Sequence, residues 1–320
     1  MAFRSDFTRG MQKDMYQYYM EAEQYQKLQA VYPQLFEVVQ MEGAYEQSTS
    51  ALGMSKLSER KEGDKIAQSN PGEGYTIPHK ARDFSDSFTL TSNTVEDFTP
   101  SKLGNILQKF ASGWQQGLID TKEEFAAKFF NKGGYTAGHD VFNNAITGVI
   151  ADDTGDLGYD GQPFFALEGN EHTTKGGGSY FNSIAQAFSG ANLQTAYNRM
   201  TNSNNYDEKG NKIALRPQVI LIPSALRFSV DEVLRNTDTA NLRSSVEGLV
   251  TPIEWQYLTD TDAWFLGVPK KGLKFYERRA PIIDVYQDEE DKKYHVTIDT
   301  RFGAGMDNWR FWQGNNLSTS

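Results

Sequence analysis

Histidines, clustered carboxylates and glycine runs are where chemistry would be sought first, and this chain offers each in a form that stops short of a site. His79, His139, His172 and His295 lie far apart, with no HExxH pair or comparable spacing, so no metal site of that kind is expected. Asp152, Asp153 and Asp156 in ADDTGD resemble a loop calcium set. The EF-hand spacing and its closing glutamate are missing, which favours a solvated turn. Gly176 to Gly178 form a run, but it lacks the GxxxxGK[ST] spacing and the preceding apolar strand of a phosphate cradle, so it reads as a flexible loop. The carboxylate pair of a glycosidase is defined by separation in space, and nothing in the sequence picks out a particular pair. No catalytic residue, cofactor or metal is therefore expected.

The most specific stretch runs from Asp160 to Asn182. Asp160 and Gly161 make a turn, Phe164 and Phe165 anchor it, and His172, the glycine run and Asn182 follow. Long elements must position this stretch. Between Thr99 and Lys132, Leu103, Ile106, Leu107, Phe110, Trp114, Leu118 and Phe125 recur at three- and four-residue steps, the pattern of a helix with one apolar face. Thr99 supplies a cap, Pro100 a first helical residue, and Gly133 with Gly134 a stop. A continuous helix here would measure about 45 Å at 1.5 Å per residue, although Gly104, Gly113 and Gly117 argue against its being straight. Residues 6 to 30 read as another helix, with a weak stripe of Met11, Met15, Tyr18, Tyr19 and Ala22, continued by Tyr25 and Leu28 and ended by Pro33. So aromatic a helix packs either on its own domain or on another subunit. Leu35 to Gln40 suits a strand or a helical turn.

From residue 44 to 91 the composition turns polar, with Lys56, Arg60, Lys61, Lys65, Lys80 and Arg82 and a turn cluster from Asn70 to Gly74. Tyr75 and Ile77, then Phe84, Phe88 and Leu90, alternate as strands do. A segment this long without a core is either disordered or an extended two-stranded arm, each limb of about fifteen residues reaching about 50 Å. An isolated hairpin is marginal in water, so such an arm makes sense only when laid across a neighbouring molecule.

Further on, Leu193 to Met200 reads as a helix, TNSNNYDEKGNKIAL as a polar turn and Val219 to Ile222 as a strand closed by Pro223. Ser224 is available to cap a helix with Leu226, Val230 and Val233 on one face. The remainder alternates strands and turns in an antiparallel style, which makes the class α+β. At 320 residues the chain can bury a core in two domains or one large one. It has no cysteine, so thiolate sites and disulfides are excluded, and its net charge of −10 argues against a surface devoted to nucleic acid. The amino terminus lacks the apolar segment of a signal peptide and no run of eighteen apolar residues occurs, so a soluble protein, intracellular at synthesis and without a membrane partner, is expected.

The succession DGQPFF, His172, the glycine run, Asn182, a helix and RPQVILIPSALRFSVDEVL resembles the major head subunits of tailed bacteriophages, in style nearest to the Mu-like group. VEGLVTPIEWQYLTDTDAWFLG and the ending RFGAGMDNWRFWQG resemble later strands of that family, so the motifs span about residues 155 to 314. Phe164 stands where a leucine is usual, and LEGN is inserted before Glu171 and His172. The resemblance implies the capsid fold named after phage Hong Kong 97. Residues 1–43 would form an N-terminal arm, 44–92 an extended loop, 93–144 a peripheral domain with the spine helix, 145–270 an axial domain, and 271–320 the strands returning to the peripheral domain, Val296 to Ile298 among them.

The implied function is assembly rather than catalysis, as a major capsid protein whose hexamers and pentamers build an icosahedral head shell around double-stranded DNA. The resemblance further implies scaffolding, portal and decoration proteins as partners, weak contact with packaged DNA, and a place in the virion shell after assembly in the host cytoplasm. Covalent cross-linking through Lys56, Lys61 or Lys65, known in one branch of the fold, is less favoured than their being ordinary exposed lysines. Contacts between subunits are expected at Lys56, Arg60, Lys61, Lys65 and Tyr75 of the loop and at acidic residues such as Asp288, Glu289 and Glu290, each exposed pair contributing at most about 1 kcal/mol. An encapsulin-like compartment shell and a soluble α+β hydrolase are the alternatives.

Overall fold

A computed structural model describes residues 4–26, 30–43, 45–52, 57, 59–63, 65–66, 72–97, 99–131, 160, 162–235, 246–288, 290 and 292–317. The expected long helix is α4, Pro100–Asn131, continuous for 32 residues or about 48 Å. The Leu103 amide bonds to the Thr99 carbonyl, which makes Thr99 its N-cap. Gly133, Gly134 and Lys132 lie outside the described residues.

The amino-terminal helix α1, Arg4–Gln26, lies beside α4 on a four-stranded sheet. That sheet contains β1 (Glu37–Gln40), β4 (Arg82–Thr91), β11 (Leu273–Gln287) and β12 (Lys293–Met306), in the order β1-β11-β12-β4. Only the β1–β11 pair is parallel. Along β12, Tyr294, Val296, Ile298, Thr300 and Phe302 are buried at every second position, the period of a strand with one covered face. Tyr294, Val296 and Ile298 meet Met11, Met15 and Tyr19 of α1 and Leu107 and Ala111 of α4, while Phe302 joins a separate core. Of the two packing modes open to α1, its buried stripe therefore takes its own domain. Pro33 does not end α1. It opens the short helix α2, Tyr32–Leu35, at a position where a missing N–H is harmless.

The arm region divides in two. Strands β2 (Tyr45–Leu52) and β3 (Gly72–Lys80) pair only with each other, as an antiparallel ribbon. The described limbs are eight and nine residues, or about 30 Å at 3.3 Å per residue, and the residues that would extend them towards fifteen, 53–56 and 67–71, lie outside the described residues. Residues 82–91, expected in the loop, instead form the outer strand β4, because Phe84, Phe88 and Leu90 find an apolar surface against β12 and α4. The short helix α3 follows, Ser92–Asp97.

A second sheet is mixed and five-stranded, in the order β7-β13-β10-β8-β9. Its strands are β7 (Ser183–Ile184), β8 (Val219–Ile222), β9 (Thr251–Glu254), β10 (Trp264–Gly267) and β13 (Trp312–Asn315), while β5 (His172–Thr173) and β6 (Ser179–Tyr180) make a separate small hairpin. Helices α5 (Gly190–Asn198) and α6 (Arg227–Arg235) cover one face, where Leu193, Ala196, Val230 and Leu234 meet Ile220, Ile222, Trp264 and Leu266. Ser189 caps α5 by accepting from the Asn192 amide. Ser224 makes no such cap; it begins a 3-10 turn leading into α6. The resemblance assigned 312–315 to the first sheet, yet β13 sits between β7 and β10 with all four residues buried.

The other face of this sheet meets the end of α4. Phe125, Phe129 and Phe130 join Phe36, Phe164, Phe165, Phe265, Phe275, Phe302 and Trp312 in one aromatic core that spans both sheets. Ring centroids within it lie 4.5 to 6.5 Å apart, largely edge to face, the arrangement that aromatic quadrupoles favour.

Candidate functional site

The Asp160–Asn182 stretch folds into a buried polar node under this core. Asp160 Oδ2 takes the Thr173 amide at 3.0 Å and lies 2.9 Å from His172 Nδ1, while Oδ1 accepts from the Gln162 amide at 3.2 Å. His172 Nε2 lies 3.4 Å from the Phe164 carbonyl, and the ring stacks on Trp309 at 4.3 Å and 3°. Neither side chain of the Asp160–His172 pair is more than 2% exposed. Among the described residues both imidazole nitrogens lie against acceptors and neither bonds to a hydroxyl, so the pair ties a turn to the core.

Asn182 is the centre of the node. Its Oδ1 accepts from the Ala166 amide at 2.9 Å, and its Nδ2 donates to the carbonyls of Phe164, Trp312 and Trp309 at 2.9, 3.0 and 3.3 Å. One side chain thus joins the turn after Asp160 to the strand β13. The glycine run is a tight turn between β5 and β6, not a flexible loop. The Gly176 amide donates to the Glu208 carbonyl, that of Gly177 to the Thr174 carbonyl and that of Gly178 to Thr174 Oγ1, so all three donors a phosphate would need are occupied. Gly177, at φ +82°, takes the left-handed conformation the turn requires.

Residues that the sequence did not single out complete the site. Arg310 and Glu208 form an ion pair at 2.8 Å with side chains 3% and 6% exposed. Arg310 Nε also donates to the Tyr206 carbonyl at 2.8 Å, and its guanidinium lies 4.6 Å from the Trp309 ring centre. The stretch read as a polar turn, 201–215, is therefore partly interior. Glu123, an acid on the inward face of α4, accepts from the Val31 and Tyr32 amides at 2.6 and 3.1 Å and from Trp255 Nε1. Burial pushes its pKa up against the pull of those donors.

The root of the β2–β3 ribbon is a second constellation. Lys274 Nζ lies 3.3 Å from Asp307 Oδ2 and 3.2 Å from Ser48 Oγ, and Ser48 in turn bonds to Asp307. His79 on β3 is 1% exposed, stacks on Tyr276 at 5.0 Å and makes no hydrogen bond through either ring nitrogen. Gly305 leaves the space its ring occupies, since a Cβ there would overlap the imidazole. Burial lowers the His79 pKa to about 4, the nearby Asp307 opposing and Lys274 assisting. Between pH 6.5 and about 4 the unfolded chain takes up a proton that the folded one refuses, so stability falls across that window, by on the order of 3 kcal/mol. His79→Phe keeps the stacked ring and removes the titration. Thermal unfolding near neutral pH and near pH 4.5 should show a smaller acid-induced drop in this variant; an unchanged drop would assign the sensitivity elsewhere.

The expected inter-subunit residues fall in two places. Arg60, Lys61 and Lys65 are exposed in the segment beyond the ribbon, and Tyr75 lies on β3. Asp288 and Glu290 occupy the turn joining β11 to β12, where the Glu290 amide donates to Asp288 Oδ1 at 2.9 Å. Lys56 and Glu289 lie outside the described residues, as do His139, Asp152, Asp153 and Asp156. The structure brings Asp288 and Glu290 together in one turn. Leu57 and Ile66, unremarked in the sequence, are 101% and 76% exposed in that same segment.

The chain thus combines a two-stranded ribbon that pairs with neither sheet and a long helix laid across one sheet and driven into the core of a second. Solved structures share the architecture. The mature capsid of bacteriophage PhiM1 matches with a TM-score of 0.56 at 10% identity, over 91% of this chain and 88% of that one. The cyanophage P-SCSP1u capsid gives 0.53 at 8% identity over 91% and 89%, and the capsid of an empty GTA particle 0.51 at 11% over 89% and 88%. At such identities the likeness concerns the fold, the Hong Kong 97 type.

The chain belongs to the phage capsid protein family, whose sequence model matches residues 94–315. No curated protein matches it in sequence. Family membership makes it a structural protein of the virion shell and not an enzyme, which decides against the hydrolase and the cargo-compartment alternatives.

Proposed function

We propose that copies of this chain associate as hexamers and pentamers into a closed icosahedral head shell around double-stranded DNA. The observation that carries this reading is the β2–β3 ribbon, fixed at its root by Ser48, His79, Lys274 and Asp307 while Leu57 and Ile66 beyond it touch almost nothing of their own subunit. Apolar side chains left in water are a cost that a neighbouring subunit removes. Repeated through a shell, each such contact is heterologous and closes by rotation.

In this reading α1 belongs to the arm, the β2–β3 ribbon with the residues between its strands is the extended loop, the four-stranded sheet with α4 is the peripheral domain, and the five-stranded sheet with α5, α6 and β13 is the axial domain. Lys56, Arg60, Lys61, Lys65 and Tyr75 then face acidic residues of a neighbour, among them Asp288, Glu289 and Glu290. Exposed pairs of this kind are individually weak, which suits reversible assembly. Scaffolding, portal and decoration proteins are the further partners, and contact between an acidic chain and packaged DNA is weak and salt-sensitive.

Replacing residues 53–71 by a short Gly-Ser turn tests it without disturbing β4. The subunit should unfold at an unchanged temperature but form no closed particles by sedimentation and negative-stain microscopy. Closed particles of normal diameter from that variant would remove the loop from assembly.

A further inference from the structure

Helix α4 carries a buried polar residue that packing within the subunit leaves unpaired. Gln115, Leu118, Ile119 and Lys122 recur at three- and four-residue steps, so they share one face of α4 over about 10 Å. That face floors a cavity of about 420 Å³ whose other walls come from α1, α2, β1, β11 and β12. The size falls within the range of about 300–1,000 Å³ over which pockets hold small molecules. Gln115 is 3% exposed, and its Oε1 has no hydrogen-bond partner among the described residues. A buried amide normally finds one, and a leucine at 115 would continue the apolar floor without that loss. The cations around the cavity are already neutralised. Lys122 lies 2.6 Å from Glu277, Arg279 2.7 Å from Asp299 and Arg301 2.6 Å from Asp83.

We infer that this cavity is a binding site for a small neutral aromatic molecule carrying one hydrogen-bond donor. The donor meets the Gln115 amide oxygen, which replaces the partner the subunit does not supply. The ring lies on Leu118 and Ile119, with Tyr32 and Phe302 among its aromatic walls. An ionised ligand is selected against, because a carboxylate or an ammonium would have to displace the partner that Lys122 or Glu277 already holds. Since the walls come from six elements, occupancy ties α1 and β1 more firmly to α4. The site belongs to a single subunit and does not depend on the shell reading.

Indole is the probe, because its ring N–H is a single donor, and 1-methylindole, the same ring system without that hydrogen, is the control. Isothermal titration of the full chain should show saturable one-to-one binding of indole, at least about fivefold tighter than 1-methylindole. The unfolding temperature should rise with indole concentration. Gln115→Leu should unfold at a temperature equal to or above wild type and lose the preference between the two probes. Val38→Trp acts at the exposed edge of the cavity, on a strand residue that is 44% exposed. It should weaken both probes at least about fivefold by closing the entrance, and it decides the matter even where Gln115→Leu does not fold. Wild-type chain that takes up no indole saturably or prefers it by less than fivefold would overturn the inference. So would a folded Gln115→Leu chain that keeps the preference, or a Val38→Trp chain that loses less than fivefold in affinity.

Discussion

Arg310→Ala should destabilise the subunit by about 3–5 kcal/mol, the cost of leaving one member of a buried ion pair unpaired. Glu208 would remain 6% exposed without the guanidinium 2.8 Å away, and the Tyr206 carbonyl would lose its donor. Glu208→Gln, which keeps the shape and drops the charge, should cost less alone and should soften the effect of Arg310→Ala when combined with it. Urea unfolding of the four proteins gives the coupling directly. Additive effects would mean that the two side chains act independently despite their contact.

Asn182→Asp is nearly isosteric and should still be among the most damaging substitutions in the chain. The Nδ2 group donates to three carbonyls, of Phe164, Trp309 and Trp312. A carboxylate at 1% exposure would present an acceptor to all three, and a buried polar group deprived of its partner costs about 1–3 kcal/mol each. The expected result is insoluble protein or a loss of at least about 4 kcal/mol, with hydrogen exchange at β13 rising before that at β11 and β12. Asn182→Leu should also be severe, because it strands the Ala166 amide as well. A soluble Asn182→Asp chain with wild-type protection at β13 would show that the node is not what holds that strand.

The two cases differ in how far they could be read in advance. Asn182 was visible only through likeness to a family, since two of its acceptors lie 127 and 130 residues further along the chain and no spacing rule reaches that far. Glu208 and Arg310 stand 102 positions apart, the acid in a stretch that read as a polar turn and the cation near the end of the last strands. Helix α4 was legible from its period in part, Phe125 near its end being buried as that period expects. Leu107 is buried as expected, whereas Phe110 is 41% exposed. Phe129 and Phe130, adjacent in sequence, are both buried because the helix end is enclosed by the core that spans two sheets, a circumstance that periodicity cannot announce.

The polar stretch after residue 44 announced a ribbon by composition. It did not announce that its last strand, β4, would bond to β12 more than two hundred residues later. Local patterns identified the elements; the partners were set by apolar surfaces that come together only in the folded chain.

The place of β13 has a consequence for synthesis. Residues 312–315 lie between β7 and β10, and β1 and β4 are bonded to β11 and β12. Neither sheet can be completed until these late strands have left the ribosome, so the earlier segments wait with their edges open while translation continues. Pairings so distant along the chain form slowly. A nascent or broken chain lacking 312–315 has no strand to fill the gap beside β10 and no Trp312 for the aromatic core. In this subunit the competence to join a lattice is thus conferred late, and only on chains translated through that strand.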